Sequence, residues 1–412
     1  MGEHGPSALE HAGATDTSTE PVTASPVSAA GATEPGATEI RAARHMPGWV
    51  RVVRLLALVA LLYGFLVGVD ILGEGISGLG SGAADSLFRG VANPLAGLAV
   101  GVLATVLVQS SSVSTATIVA LVGTGVLSVP AAVPMVMGAN IGTTVTNTLA
   151  SVGAIRRTND FRRAFAGATV HDLFNLLAVA VLLPLELLTG VLSRAAIALS
   201  GPLGGASGGE FKSPLKEAVG AGAGAFEAMV GIVPGQGSAV LLIVLGLGLL
   251  FATLTLITRN MRLLIAGAAE RSLNAVLGRS GTLGILVGIV LTVAVQSSSI
   301  TTSLLVPMMA AGVLTLRNAY PITLGANVGT TVTALIAALA VPQIEGLQIA
   351  LVHLLFNLAG ILLFFPVPAL RDIPIRGAER LADLAARRKS VVLAYVVVLF
   401  IVLPAGGVVL LG

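Results

Sequence analysis

The chain has 412 residues, of which 55% are hydrophobic and only 10% are charged, and its mean hydropathy is +0.95. A soluble domain of this length needs far more charge to cover its surface, so the composition excludes an ordinary soluble fold. The absence of cysteine excludes disulfides and cysteine-based catalytic or metal sites, and five histidines without an HExxH pattern argue against a zinc enzyme.

The N-terminal segment differs from the rest of the chain. Residues 1–40 are rich in Ala, Thr, Ser, Glu, Pro and Gly, with six acidic residues and no Lys or Arg. Such a segment cannot bury enough apolar surface to offset its ordering entropy, so we predict a disordered cytoplasmic tail over 1–45. Arginines at 41, 44, 51 and 54 precede the first apolar run, which places the N-terminus in the cytoplasm.

The main organisational feature is an internal duplication. Residues 109–146 align without a gap to residues 296–333 at a constant offset of 187, and 19 of the 38 pairs are identical. QSSSVST matches QSSSITT, and GANIGTTVT matches GANVGTTVT. Further along, VHDLFN at 170–175 corresponds to VHLLFN at 352–357, after a five-residue deletion. Transporters often contain two such repeats in opposite orientation, with the substrate between them at mid-membrane.

Charge and hydropathy predict the topology. Full spans are expected at about 55–74, 130–150, 164–190, 236–257, 318–340, 347–369 and 391–411, with re-entrant hairpins at about 92–127 and 282–314. Three crossings and one hairpin per repeat invert the second copy, and nearly every basic cluster then lies on the cytoplasmic side.

We therefore predict an all-α polytopic membrane protein of the cell (plasma) membrane, with two inverted-topology repeats and about seven full spans plus two hairpins. Its expected parts are repeat 1 at 52–192, an extracellular loop at 193–233, repeat 2 at 234–372, a cytoplasmic amphipathic segment at 373–390 and a final transmembrane helix at 391–412.

The two QSSS words supply the candidate binding chemistry. Broken helices at membrane depth are tolerated where they are buried in protein or line a cavity. Free backbone amides at a helix N-terminus bind anions, while hydroxyls and carbonyls suit sodium. Neither hairpin contains a charged residue, so we expect an anion held by neutral donors and helix dipoles, with bound cations balancing its charge. The candidates are Gln109, Ser110, Ser111, Ser112 and Thr115 in the first copy, and Gln296, Ser297, Ser298, Ser299 and Thr302 in the second.

The GANxGTT words resemble a second pair of helix breaks, because glycine permits close backbone approach or unusual dihedral angles. Their polar residues are further candidate ligands: Asn140, Thr143, Thr144, Asn327, Thr330 and Thr331. Ser, Thr and Gly also pack membrane helices closely, but two paired copies favour a binding site. His171 and His353 occur in both repeats, and for them packing or a helix-to-helix hydrogen bond is expected.

Asp172 is an ionisable residue inside an apolar span, and its counterpart in the second repeat is Leu354. A carboxylate in the membrane is costly and is therefore a functional candidate. It is expected to be a cation ligand; the alternative is pairing with a helix terminus or with nearby arginines.

At these residues the sequence resembles the type II sodium–phosphate cotransporters, a family defined by paired QSSS repeats. The match runs from about residue 52 to 411. The resemblance implies sodium-driven uptake of inorganic phosphate by alternating access, with the QSSS segments forming the substrate and sodium sites. Electrogenic members carry an aspartate at the VHD position, so Asp172 is expected to bind an additional sodium ion.

Two other functions remain open from the sequence: a sodium-coupled carrier of another small anion, or a phosphate-sensing or export membrane protein. An enzyme is not expected, because no acid would orient a histidine base beside a QSSS serine in both copies. The expected partners are phosphate, sodium and the lipid bilayer, with a homodimer as an open alternative and no nucleic acid. No cofactor is expected, since sodium acts as a co-substrate.

Overall fold

The computed structural model describes residues 47–80, 82, 90–204, 214–276 and 281–412, and these residues form α-helices and no β-strand. The predicted tail at 1–45 lies outside the described residues, as do positions 205–213 of the predicted loop. Five helices among the described residues are long and apolar enough to cross a membrane: Gly48–Gly78, Thr158–Thr189, Gln236–Met261, Ile344–Phe364 and Ser390–Leu411. The expectation of an all-α membrane protein is confirmed.

Most of the described helices follow one another with short connections. The first half contains α1 (Gly48–Gly78), α2 (Pro94–Val108), α3 (Ser111–Gly123), α4 (Val129–Gly142), α5 (Val145–Ser151), α6 (Thr158–Thr189) and α7 (Val191–Gly204). The second half contains α8 (Pro214–Val230), α9 (Gln236–Val276), α10 (Gly281–Val295), α11 (Ser298–Ala310), α12 (Leu316–Ala337), α13 (Ile344–Phe364), α14 (Pro368–Arg387), α15 (Ser390–Val397) and α16 (Leu403–Leu411). A π-helical turn at 398–402 joins α15 to α16.

Two of the seven expected spans are not among these five candidates. The segment at 130–150 is divided between α4 and α5, neither of which is long enough to cross a membrane alone. The segment at 318–340 corresponds to α12, whose length is sufficient but whose Asn, Thr and Gly residues lower its hydropathy. In both segments the polar GANxGTT residues explain why no helix is both long and apolar enough to be a candidate span.

The duplication reappears in the helix boundaries. The bounds of α10 are those of α2 shifted by 187 positions, and the bounds of α11 are those of α3 shifted by the same number. Each helix pair packs beside the GANxGTT helix of its own repeat, α2 against α4 and α10 against α12. The two copies therefore share secondary structure and local packing as well as sequence.

Glycine allows that close packing. A methyl group at Gly138 would collide with the carbonyl oxygen of Leu98 in α2, and one at Gly325 would collide with that of Ile285 in α10. Neither glycine has a positive φ. The prediction of a helix break at both GANxGTT words is accordingly wrong for the second copy, where α12 continues without interruption; only the first copy breaks, between Gly142 and Val145.

The segment at 193–233, predicted as a loop, contains most of α7 and all of α8 in its described part. In α7, Leu192, Ala196 and Ser200 are buried at intervals of four residues, and in α8 Val219 and Ala223 are buried at the same interval. This spacing places each set on one face of a helix, where it packs against the protein. Because glycine is abundant in this segment, the helical spacing of the buried residues was not evident from the sequence.

Candidate functional site

Each QSSS word forms a sharp turn between two helices. Gln109 ends α2 with φ 56°, and Gln296 at the end of α10 has the same φ; in the described chain they are the only residues other than glycine with positive φ. This left-handed conformation is costly for a residue with a side chain, so it marks an imposed geometry. The predicted interruption at both QSSS words is therefore present.

The next residue starts a new helix in each copy. The Ser110 Oγ accepts a hydrogen bond from the backbone amide of Val113 at 3.3 Å, and the Ser297 Oγ accepts one from Ile300 at 3.4 Å. Both serines are N-caps, of α3 and α11 respectively. Two helix N-termini with partial positive charge consequently begin at equivalent points of the two repeats.

The glutamine side chains hold these turns in place. Gln109 donates from Nε2 to the Val106 carbonyl at 2.5 Å, and its Oε1 accepts from the Thr146 hydroxyl at 3.0 Å. The second copy repeats both bonds: Gln296 Nε2 donates to the Val293 carbonyl at 2.6 Å, and Thr333 donates to Gln296 Oε1 at 3.1 Å. The two threonines, which end the duplicated stretch, were not among the residues selected from the sequence.

Both QSSS words line one cavity of about 510 Å³. The first copy contributes Gln109, Ser110, Ser111 and Ser112, and the second contributes Gln296, Ser297, Ser298 and Ser299. The structure thus brings together two segments that are 187 positions apart in the chain. The remaining wall comes largely from α9, through residues that include Thr255, Thr258 and Arg259.

Arg259 gives this cavity a fixed positive charge. Among the described residues that line it, Arg259 is the only charged one, and no hydrogen bond or ion pair to another described residue engages its guanidinium. Arg259 was not among the candidate residues selected from the sequence, because a basic residue after an apolar span fits the pattern of a membrane-orienting charge. The available signal was a polar stripe, Thr255, Thr258 and Arg259, on one face of an apolar helix.

The other hydroxyl candidates mainly bond to carbonyls of their own helical turns. Thr115 donates to the Ser111 carbonyl and Thr302 to that of Ser298, each at 2.8 Å. Thr302 also accepts from Asn147 Nδ2 at 2.6 Å. The same own-helix pattern holds for Thr143, Thr144, Thr330 and Thr331. None of these residues lines the cavity between the QSSS words.

The two GANxGTT asparagines face a histidine of the other repeat. The Nε2 of His171 in α6 contacts the Oδ1 of Asn327 in α12, and His353 in α13 contacts the Oδ1 of Asn140 in α4 at 3.4 Å. The amide of Asn175 donates to the Asn140 carbonyl at 3.0 Å and its oxygen accepts from Asn327 at 2.8 Å. The helix-to-helix hydrogen bonds expected for the histidines are confirmed, and they place the asparagines in a buried network between the repeats.

Asp172 lies in α6, fully buried, and outside the QSSS cavity. Its Oδ2 accepts from the Tyr395 hydroxyl at 2.7 Å and from Thr148 at 3.4 Å. Its Oδ1 has no hydrogen-bond partner in the described part of the chain, and no arginine or lysine described there forms an ion pair with it. The alternative expectation, pairing with nearby arginines, is not supported by this geometry.

Comparison with known proteins identifies relatives for nearly all of the chain beyond its N-terminal segment. The sodium-dependent phosphate transport protein 2A of Ovis aries is 34% identical, over 86% of this chain and 67% of the relative. The 2A protein of Rattus norvegicus is 33% identical over the same shares, and the 2B protein of Homo sapiens is 32% identical over 85% of this chain and 64% of its own length. No solved structure matches the chain.

The family comparison agrees with these relatives. The Na+/Pi-cotransporter family matches residues 65–195 and 249–373, two stretches that each contain one QSSS word and one GANxGTT word. This is a family of transport proteins and not of enzymes. The chain belongs to the Na+/Pi-cotransporter family.

Proposed function

We propose that this protein is a secondary active transporter that couples sodium entry to the uptake of inorganic phosphate by alternating access. The observation that carries the proposal is the single cavity lined by both QSSS words and Arg259. The family match and the sodium-dependent phosphate transport proteins of sheep, rat and human support sodium and phosphate as the transported ions.

The proposed site joins a fixed cation to neutral donors. Phosphate would receive hydrogen bonds from the serine hydroxyls and from the N-terminal amides of α3 and α11, with Arg259 supplying charge. Sodium would bind the hydroxyl and carbonyl oxygens of the same turns. Each ion lowers the cost of holding the other in a site of low dielectric constant, which is the physical basis of coupling.

The protein is proposed to contain two inverted repeats, with α2–α3 and α10–α11 as re-entrant hairpins that approach from opposite faces. Ion pairs support this arrangement, since they join segments assigned to the cytoplasmic face. Arg162 pairs with Asp383, and Arg317 donates to Asp372 at 2.7 Å. The Arg317 guanidinium also holds the pKa of Asp372 below its usual range. The N-terminus is then cytoplasmic in a protein of the cell membrane.

Transport is proposed to be electrogenic through an additional sodium ion at Asp172. A buried carboxylate without a basic partner requires a cation or a proton. The Oδ1 of Asp172 has no hydrogen-bond partner among the described residues, and only hydroxyl groups donate to its Oδ2. Because the second repeat has leucine at this position, the extra charge would move with the first repeat.

Reconstitution tests the function. Purified protein in proteoliposomes should accumulate radiolabelled phosphate when an inward sodium gradient is imposed, and a matched choline gradient should give only the leak seen in protein-free vesicles. Phosphate uptake that is equal with sodium and choline, or sodium-dependent uptake of a small carboxylate but not of phosphate, would overturn the proposal.

A further inference from the structure

Asp172 is a buried carboxylate whose two oxygens have different surroundings. Its Oδ2 accepts a hydrogen bond from Tyr395 and lies within reach of the Thr148 hydroxyl, whereas its Oδ1 is buried and has no hydrogen-bond partner among the described residues. A charged oxygen in this condition is costly unless a cation or a proton reaches it. The geometry therefore divides the carboxylate into a held oxygen and an available one.

The donor that holds Oδ2 comes from the final membrane span. Tyr395, in α15, donates its hydroxyl at 2.7 Å, and α15 lies outside both duplicated stretches. The ring of Tyr395 meets Phe165 of α6 edge-on with centroids 6.2 Å apart, and it meets Phe400 in the π-helical turn at 6.1 Å. Packing on two sides restricts where the hydroxyl points.

A second hydroxyl assists from the first repeat. The Thr148 hydroxyl of α5 lies 3.4 Å from the same Oδ2 and 3.4 Å from the Thr144 carbonyl, so these two acceptors share its single proton and its bond to Oδ2 is weaker than that of Tyr395. Thr148 is fully buried and follows the break between α4 and α5. The Tyr395 bond is therefore the main restraint on Oδ2, and Oδ1 has no hydrogen-bond donor among the described residues.

We propose that Tyr395 is the positioning residue of the Asp172 sodium site, fixing Oδ2 through its hydroxyl, with help from Thr148, so that Oδ1 is presented to the cation. This inference rests on the proposed function, which places a sodium ion at Asp172. The final span is thereby part of the cation-binding machinery of the first repeat.

Tyr395→Phe is the test variant, because it removes the hydroxyl and keeps the ring. Tyr320→Phe is the matched control: Tyr320 is fully buried, and its hydroxyl has no hydrogen-bond partner in the described chain. Sodium binding is measured as the thermal stabilisation of purified full-length protein in sodium against choline chloride at constant ionic strength. Phosphate uptake into proteoliposomes is measured in parallel.

The sodium concentration for half-maximal stabilisation should rise by roughly tenfold in Tyr395→Phe and stay unchanged in Tyr320→Phe. Thr148→Val should raise this sodium concentration by a smaller factor. If Tyr395→Phe is not recovered as folded protein, the result for Thr148→Val decides. The phosphate concentration for half-maximal uptake, measured in saturating sodium, should not change in either variant. Wild-type sodium dependence in Tyr395→Phe, or in Thr148→Val if that variant must decide, would overturn the inference.

A double-mutant cycle separates positioning from general weakening. On an Asp172→Asn background, Tyr395→Phe should cause no further change in sodium dependence, because the oxygen that it positions is no longer charged. An additional loss of the same size as in the wild-type background would contradict the assigned role. A wild type stabilised by sodium but unable to take up phosphate would refute the proposed function alone, and a wild type that sodium does not stabilise would refute this inference.

Discussion

Gln109 and Gln296 share a left-handed backbone with φ 56°, and each accepts a hydrogen bond from a threonine that lies 37 positions further along the chain. The bond joins the turn between two short helices to the polar word that follows it. Since both repeats contain it, the two QSSS turns are fixed by the same device. Their serines and helix N-termini therefore face the cavity with equivalent geometry.

The threonine partners of these glutamines should matter for transport. Thr146→Val or Thr333→Val removes one hydroxyl with little change in shape, and loss of a hydrogen bond worth about 1 kcal/mol should lower the initial rate of sodium-dependent phosphate uptake by about fivefold. Gln109→Ala or Gln296→Ala should abolish uptake without preventing membrane insertion. Thr189→Val, at an exposed hydroxyl near the end of α6, is the control. Full activity in both Val variants would show that the hydrogen bonds from the two threonines to the glutamines are dispensable for transport.

Arg259 should govern the affinity for the anion. Arg259→Gln removes the fixed charge from the cavity, and the phosphate concentration for half-maximal uptake should rise by about tenfold, equivalent to about 1.4 kcal/mol. Arg259→Lys should restore part of the affinity, because it keeps the charge but not the planar donor geometry. Arg380→Gln, at an exposed arginine of α14, should behave as the wild type. An unchanged phosphate affinity in Arg259→Gln would remove this residue from the site.

The inverted topology can be tested by accessibility, and the absence of natural cysteine makes the experiment clean. Asn159→Cys and Ile344→Cys place single thiols at exposed positions near the starts of α6 and α13. In intact cells a membrane-impermeant thiol reagent should label position 344, and position 159 should react only after the membrane is opened. Labelling of both positions from the same side of the membrane would contradict the inverted topology of the two repeats.

Asp172 should set the charge moved with each phosphate. Asp172→Gly removes the buried carboxylate, so the ratio of current to phosphate flux should fall while some phosphate uptake persists. Solid-supported membrane recordings combined with radiolabelled uptake give this ratio. Glu379→Gln, which neutralises an exposed acid of α14, should leave it unchanged. An unaltered ratio in Asp172→Gly would refute the additional sodium ion.

Much of the helical framework could be predicted from the sequence. The apolar runs predict the long helices, and the repeated QSSS words predict an interruption at Gln109 and at Gln296 because polar residues at membrane depth must line a cavity or be buried in protein. The histidine contacts with Asn140 and Asn327 follow the expectation of helix-to-helix hydrogen bonds. These features depend on local chemistry and on the duplication, and both are visible in the chain.

The features that were missed depend on which surfaces meet. Gly325 permits close packing of α10 and α12 instead of ending a helix, and only the neighbouring Ile285 carbonyl reveals that role. Arg259 fits the sequence pattern of a membrane-orienting charge, and only the position of α9 beside both QSSS words shows that it lines the cavity. Tyr395 lies 223 positions from Asp172 in the chain, so no local sequence pattern could predict the hydrogen bond between them.

Substrate protection tests most directly whether both QSSS words form one site for sodium and phosphate. Ser110→Cys and Ser297→Cys, each made singly, place thiols at the two half-buried N-caps that line the cavity. The rate of thiol modification is measured with phosphate, with sodium, with both and with neither. If both words form one site, sodium and phosphate together should slow the modification of both cysteines. Protection of only one cysteine, or protection by phosphate that is identical in choline, would show that they do not.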